Sequence, residues 1–148
     1  MTKISFNDEC VHVVFLGVPN VPGVASEIFG TLSAHSVSVG MVTQNTMRGG
    51  RSDLSFLMGK DKLDDVIPVC REAAERVGGQ GVSFATEVAA ITVGIGEDAA
   101  GTLSRIFAAL ASVKVNIEII NSTGESAICI VSKTRAQEGL EALKRAFA

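Results

Sequence analysis

PGVASEIFGTL (residues 22–32) and AGTLSRIFAAL (residues 100–110) are two versions of one phrase, and reading them together decides the fold. Laid over each other at that offset, residues 4–45 and 82–123 share nine identities. They are Ser5/Ser83, Phe6/Phe84, Glu9/Glu87, Gly23/Gly101, Ser26/Ser104, Ile28/Ile106, Phe29/Phe107, Leu32/Leu110 and Val37/Val115. A period this long marks a whole small folding unit rather than a turn of a thin solenoid. Two such units can pack about a pseudo-twofold axis and create paired sites, which points to a binding module before a catalyst.

Working outward, Ile4 and Phe6 alternate with polar neighbours, as do Val82 and Phe84, and each pair reads as a strand. A second apolar stretch follows in each copy: Val11, Val13, Val14 and Phe15, then Ile91, Val93 and Ile95. GVPNVPG and GIGEDAAG punctuate the chain there. Helical period then takes over. Ala25, Ile28, Phe29 and Leu32 recur at i, i+3, i+4 and i+7, matched by Leu103, Ile106, Phe107 and Leu110. Pro22 is expected in the first helical turn, where its missing N–H costs nothing.

Each helix is followed by a β-branched run, VSVGMVTQN or VNIEIINST, and by another strand, DLSFLM or SAICIV. The turn TMRGGRS is longer than its counterpart TGE, so the two copies lose register there. A second helix closes each copy. Leu63, Val66, Ile67, Cys70 and Ala74 form one stripe with Asp61 as the expected N-cap. Ala136, Leu140, Leu143 and Phe147 form the other, with Thr134 and Gln137 at capping-box spacing. Pro68 predicts a kink or a late start. A βαββαβ unit needs one more strand after its second helix. Gly81–Thr86 supplies it for the first copy, whereas the second copy ends on its helix. Residues 2–8 are therefore expected to complete the second unit, giving domains at 10–86 and at 1–9 plus 87–148.

The 148 residues are 47% hydrophobic and 20% charged, a normal globular composition, and the net charge of −3 gives no electrostatic reason to expect nucleic acid or an anionic membrane. No apolar run approaches the roughly 20 residues of a membrane helix. The opening MTKISFNDEC has no signal-peptide pattern, and Cys10, Cys70 and Cys129 lack CxxC spacing, which together predict reduced thiols in a cytoplasmic protein. His12 and His35 stand far apart in sequence. HExxH, GxSxG, GxGxxG and the P-loop pattern are all absent. No metal or cofactor is expected, and with neither Trp nor Tyr there is little to stack on a base.

The constructive signal is the strand–loop–helix junction. Asn20–Ala25 and Asp98–Leu103 open helices whose backbone N–H groups can hold a carboxylate. Gly23 and Gly101 allow close approach, a property that any tight turn also uses. Thr43, Gln44 and Asn45, then Asn116, Asn121, Ser122 and Thr123, add short polar groups suited to an ammonium or a hydroxyl. Each feature is ordinary alone, and their recurrence in both copies favours a site.

Taken together, GVPNVPGVASEIFGTLSAHSVSVGMVTQN, SDLSFLM and VNIEIINST resemble the C-terminal regulatory region of aspartokinase, a tandem pair of ACT domains. The resemblance runs from the TKISFND strand to the LKRAF helix. It implies an α+β fold of two ferredoxin-like βαββαβ units, antiparallel sheets carrying helices on one face. It also implies that lysine, threonine or both bind at interfaces between ACT units and inhibit the kinase. The effector-facing positions so implied are Asn20, Val21, Pro22, Gly23, Val24, Ala25, Ser38, Val39, Gly40 and Gln44 in the first unit. In the second they are Thr102, Asn116, Ile117, Ser122 and Thr123. Against the family pattern, Asn20-Val21 replaces Asp-Lys, Ser38-Val39-Gly40 replaces Asn-Ile-Asp, and Asp98-Ala99-Ala100-Gly101 replaces Ser-His-Pro-Gly. The second unit's SEIKIS strand is altered between Glu125 and Cys129, with Lys133 displaced, whereas Asn116 and Ile117 match.

The family's kinase domain, with its KFGGTS-like loop, is not in this sequence, so no catalysis is expected from the chain alone. The expected partners are an amino-acid effector and a second copy of the chain, a catalytic aspartate kinase subunit, or both, with neither nucleic acid nor membrane. The alternative is a free-standing tandem-ACT sensor acting on another protein.

Overall fold

The computed structural model describes residues 2–148. Along the chain run β1 (Ile4–Pro19), α1 (Val24–Ala34), β2 (Val39–Thr46), β3 (Arg51–Gly59), α2 (Leu63–Val77) and β4 (Gly81–Gly94). Then follow α3 (Ala99–Ser112), β5 (Ile117–Ser122), β6 (Ser126–Ser132) and α4 (Ala136–Ala146). The chain divides into two compact units: Cys10–Thr86, called the first, and the residues up to Glu9 with Glu87–Ala148, called the second.

Within the first unit the strand order is β2-β3-β1-β4, and within the second it is β1-β4-β6-β5. The ladders β1/β3, β2/β3, β4/β6 and β5/β6 are antiparallel. The two strands expected at the start of each copy are one continuous strand. No glycine or proline interrupts Ile4–Phe15, so nothing stops the ladder, and the strand simply passes from one unit to the other at Glu9/Cys10. β4 does the same at Thr86/Glu87.

Core formation follows the sequence periodicity closely in the first unit. Ile28 and Leu32 of α1 join Val11, Val13, Phe15, Leu54, Phe56, Val66 and Cys70, and α2 adds Ala73 and Ala74. The Phe56 ring lies 6.2 Å from that of Phe15 and 5.7 Å from that of Phe29. In the second unit Ile106, Ala109 and Leu110 pack with Ala89, Ile91, Val93, Cys129, Leu140 and Leu143. Phe107 departs from the expected stripe and stays 46% exposed. The reason is visible in the register. Phe56 pairs with Val13, whereas the repeat partner Ile91 pairs with Cys129, so the second core lacks the ring on which Phe29 packs. Ile4 and Phe6 pack on this second core, and the amide of Gly94 donates to the Lys3 carbonyl at 2.8 Å.

Helix starts differ from expectation at four places. Pro22 lies in the turn before α1 rather than in its first helical turn. Asp61 sits in a 3₁₀ turn, Lys60–Lys62, that precedes α2. A matching 3₁₀ turn, Lys133–Arg135, precedes α4, and neither helix carries a side-chain cap. Thr134 Oγ1 instead meets Ser132 Oγ at 3.0 Å, and Arg135 pairs with Glu138 at 2.8 Å. Pro68 produces no late start: α2 begins at Leu63 and carries the proline on its exposed face. There the Asp64 carbonyl, left without its helical donor, can bond water.

Candidate functional site

The first unit builds a cavity of about 320 Å³ at the end of its sheet. Its rim is the loop Asn20–Gly23 with Val24 and Ala25 of α1, and Val18, Pro19, Leu54 and Gln44 complete the wall. The local chain explains the opening. Gly23 takes φ 96° and ψ −19°, a left-handed conformation that side chains resist, and ends the loop in one step. The first helical bond is Glu27 N–H to the Gly23 carbonyl at 3.0 Å, so the amides of Val24, Ala25 and Ser26 precede it. No side chain caps α1. The helix therefore offers unsatisfied donors and the positive end of its dipole at the cavity.

The loop is held by its surroundings. Gly17, at φ 54° in a bulge of β1, donates its N–H to Asp53 Oδ1 at 2.9 Å. Arg51 donates to the carbonyls of Gly17 at 2.6 Å and Gly78 at 3.0 Å, tying the bulge to the end of α2. A Cβ at Gly17 would run into the Gln80 side chain. Asn20 N–H reaches the Gly50 carbonyl at 2.7 Å, so the β2–β3 hairpin also steadies the rim. Gln44 stands opposite Leu54 in the β2/β3 ladder, which puts both on one face. Ser52, two residues along that face, is 0% exposed, and its hydroxyl has no hydrogen-bond partner among the described residues.

Among the described residues no ionisable side chain lines the cavity. Glu27, in the first turn of α1, is paired with Arg76 at 2.6 Å, and Asp53 is engaged by Gly17. The helix end can hold a carboxylate, and the amide oxygens of Asn20 and Gln44 can accept from an ammonium. Val18, Val24 and Leu54 leave the rest of the wall apolar. This is the donor and acceptor set for a free α-amino acid.

The remaining expected positions fall elsewhere. Ser38 lines a separate cavity of about 190 Å³ with Ser36, Val37 and Asp61. Val39 and Gly40 start β2 opposite Met58 and Leu57, at the far end of that strand from Gln44. Asn116 and Ile117 border an open groove of about 610 Å³ beside the exposed Phe107. Thr102 is in the first turn of α3, its N–H bonded to the Asp98 carbonyl at 3.0 Å. Ser122 ends β5 opposite Ala127. Thr123 Oγ1 accepts from the amides of Glu125 at 3.1 Å and Ser126 at 3.3 Å. In the first unit the structure thus unites Asn20–Ala25 with Gln44 and separates Ser38–Gly40 from them. In the second unit it separates Asn116 and Ile117 from Thr102.

Sequence reasoning missed the Asp98 carboxylate, which caps α3 by accepting from Gly101 N–H at 2.9 Å. The signal was present, since an aspartate three residues before a glycine at a helix start is a capping pattern. Leu54, read only as part of the DLSFLM strand, and Val18, read only within the GVPNVPG punctuation, also wall the cavity.

Comparison with known proteins gives this geometry a family. Residues 12–73 and 91–147 each match the ACT domain family. The chain belongs to the ACT domain family, carrying two copies in tandem. Aspartokinases are among its curated relatives. An aspartate kinase of Pseudomonas fluorescens (strain SBW25) is 33% identical over 150 residues, covering 99% of this chain and 36% of that protein. The chain thus spans about a third of the length of that relative. Among solved structures, the regulatory subunit of aspartate kinase from Thermus thermophilus, in its ligand-free form, superposes with a TM-score of 0.88 at 22% identity. That match covers 98% of this chain and 97% of the other. A structure of aspartokinase alpha and beta subunits gives a TM-score of 0.87 at 23% identity, covering 97% and 96%. The similarity is therefore to the regulatory part of a kinase.

Proposed function

We propose that this chain is the feedback-inhibition region of an aspartate kinase, with ACT modules at 10–86 and at 1–9 plus 87–148. An end-product amino acid, threonine or lysine, binds in the cavity at the start of α1 and biases an attached or associated kinase subunit toward an inactive arrangement. The observation that carries this reading is the uncapped, glycine-initiated helix end facing Gln44 across a half-open cavity lined by no ionisable side chain among the described residues. Of the two effectors threonine is the better fit, because its hydroxyl can use the amide groups of the wall, whereas a lysine ammonium finds no carboxylate there to pair with. The remaining expected positions, Ser38–Gly40, Thr102, Asn116, Ile117, Ser122 and Thr123, contribute where modules pair, in a cytoplasmic homodimer or with the catalytic subunit. Ligand binding shifts such an assembly only if one arrangement binds it more tightly than the other.

Calorimetric titration of the chain with L-threonine, L-lysine and L-methionine tests the proposal. Saturable heat with threonine or lysine, weakened by Gln44→Ala, is expected. Absence of heat and of any shift in melting temperature with all three would refute it.

A further inference from the structure

We infer that the first unit carries a separate site for a cation, a notch between the end of α1 and the 3₁₀ turn before α2 that takes a guanidinium group from outside the chain. The second unit fills the matching notch with its own Arg135. The inference does not depend on the proposed effector cavity, which lies at the other end of α1.

The two notches share one backbone. α1 and α3 end alike: Val37 N–H returns to the Leu32 carbonyl at 3.2 Å, and Val115 N–H to the Leu110 carbonyl at 3.0 Å. Ser36 and its repeat partner Lys114 both take φ 57°. The 3₁₀ turns match as well, since Lys62 lies at φ −108° and ψ 8°, and Arg135 at φ −108° and ψ 1°. In the second unit the Arg135 guanidinium closes the notch. It donates to the Val113 carbonyl at 2.7 Å and the Lys114 carbonyl at 3.4 Å, both just past the end of α3. It also donates to the two carboxylate oxygens of Glu138 at 2.8 Å and 3.0 Å. A planar fork of donors suits helix-end carbonyls and a carboxylate together.

In the first unit that place is left open. The residue there is Lys62, and its ammonium, a compact point charge, makes no hydrogen bond or ion pair among the described residues. What remains is the cavity of about 190 Å³, with Ser36, Ser38 and Asp61 in its wall. Asp65, the counterpart of Glu138, does not line it, and Asp61 brings the carboxylate instead. Gly59 makes room for that group, because an added Cβ would lie 2.7 Å from Asp61 Oδ1. In the second unit the same position is Ser132, whose hydroxyl meets Thr134, the residue that stands for Asp61. The first copy thus keeps the helix end of the clamp, brings a carboxylate to the cavity and lacks the guanidinium that the second copy shows to fit. Lys62, on its flexible stem, turns outward to water when one enters.

The test is amide-resolved NMR on the full chain, titrated with L-arginine, N-acetyl-arginine amide and L-citrulline, the last matching arginine in shape but uncharged. Saturable shifts are expected at Ser36, Val37, Gly59 and Asp61 with arginine, and none there with citrulline. Asp61→Asn should weaken the response roughly tenfold, the loss of one charge-assisted contact. Lys62→Arg should abolish it, because the chain then supplies its own guanidinium as the second unit does. Equal binding of the acetylated amide would mark an arginine side chain of a partner protein as the source, and binding of the free amino acid alone would mark a metabolite; both support the site. Shifts that grow without saturating, equal shifts with citrulline, or undiminished binding in either variant would overturn the inference.

Discussion

Replacing Phe6 by alanine is expected to loosen the second unit, and replacing its repeat partner Phe84 to loosen the first. Phe6 packs against the core formed by Ile91, Ile106, Leu110 and Leu143, although it lies next in sequence to the first unit. Phe84 packs against the core of Val11, Phe15, Phe56 and Val66, although it lies next to the second. Truncating a fully buried phenylalanine costs about 3–5 kcal/mol. Both rings are half-buried, so about 2 kcal/mol each is the working figure. At about 1.4 kcal/mol per tenfold, that is roughly a 30-fold rise in the opening equilibrium of the affected unit. Hydrogen–deuterium exchange resolved to peptides reads it directly, because slow amides report the opening free energy of their own cooperative unit. Phe6→Ala should accelerate α3, β5, β6 and α4, and Phe84→Ala should accelerate α1, β2, β3 and α2. The same peptides accelerating in both variants, or Phe6→Ala acting mainly on residues 10–86, would refute the assignment of these half-strands.

Three further outcomes follow from the packing. Ser52→Ala is expected to leave stability unchanged or raise it by about 1 kcal/mol in chemical denaturation, since the buried hydroxyl has no partner among the described residues. Arg51→Ala removes the donor shared by the Gly17 and Gly78 carbonyls and should cost about 1–2 kcal/mol, with faster exchange at Val18–Asn20. Burial pushes the thiols of Cys70 and Cys129 up to about 11, so both should resist iodoacetamide at pH 8 in the folded chain and react on unfolding. The sign for stability follows: the protonated thiols are favoured by the fold. Their contribution is intact below the unfolded thiol range near pH 9 and declines as pH rises toward 11, which denaturation at pH 8 and pH 10.5 would reveal.

What the sequence made legible was periodicity. The stripes Ile28–Leu32 and Ile106–Leu110 found their cores because a 3.6-residue repeat of apolar side chains has one way to be buried. The helix starts at Asp61 and Thr134 were misread because capping patterns compete with 3₁₀ turns that differ by a single hydrogen bond. Phe107 was misread because its burial depends on a partner in another strand. Phe56 fills that position in one copy and Cys129 in the other, a pairing that only register reveals. At the site, the glycine, the loop and Gln44 could be read as candidates. The Asp98 cap was legible too, as an aspartate at a helix start, and was missed because the reading there looked for donors to a ligand rather than for a cap.

The crossing of β1 from one unit into the other also sets an order of events during synthesis. Ile4–Glu9 is made before the first unit, yet the strand β4 beside it and the core it packs on lie beyond the whole of Cys10–Thr86. At about 5–20 residues per second, the ribosome leaves this strand without its ladder for on the order of ten seconds. Within that interval the first unit has all it needs to collapse, so the chain folds from its middle while its opening strand waits. A waiting strand is a template for the wrong neighbour. Asn7, Asp8 and Glu9, polar or acidic and all exposed, make that stretch a poor template until the second unit's core has been made.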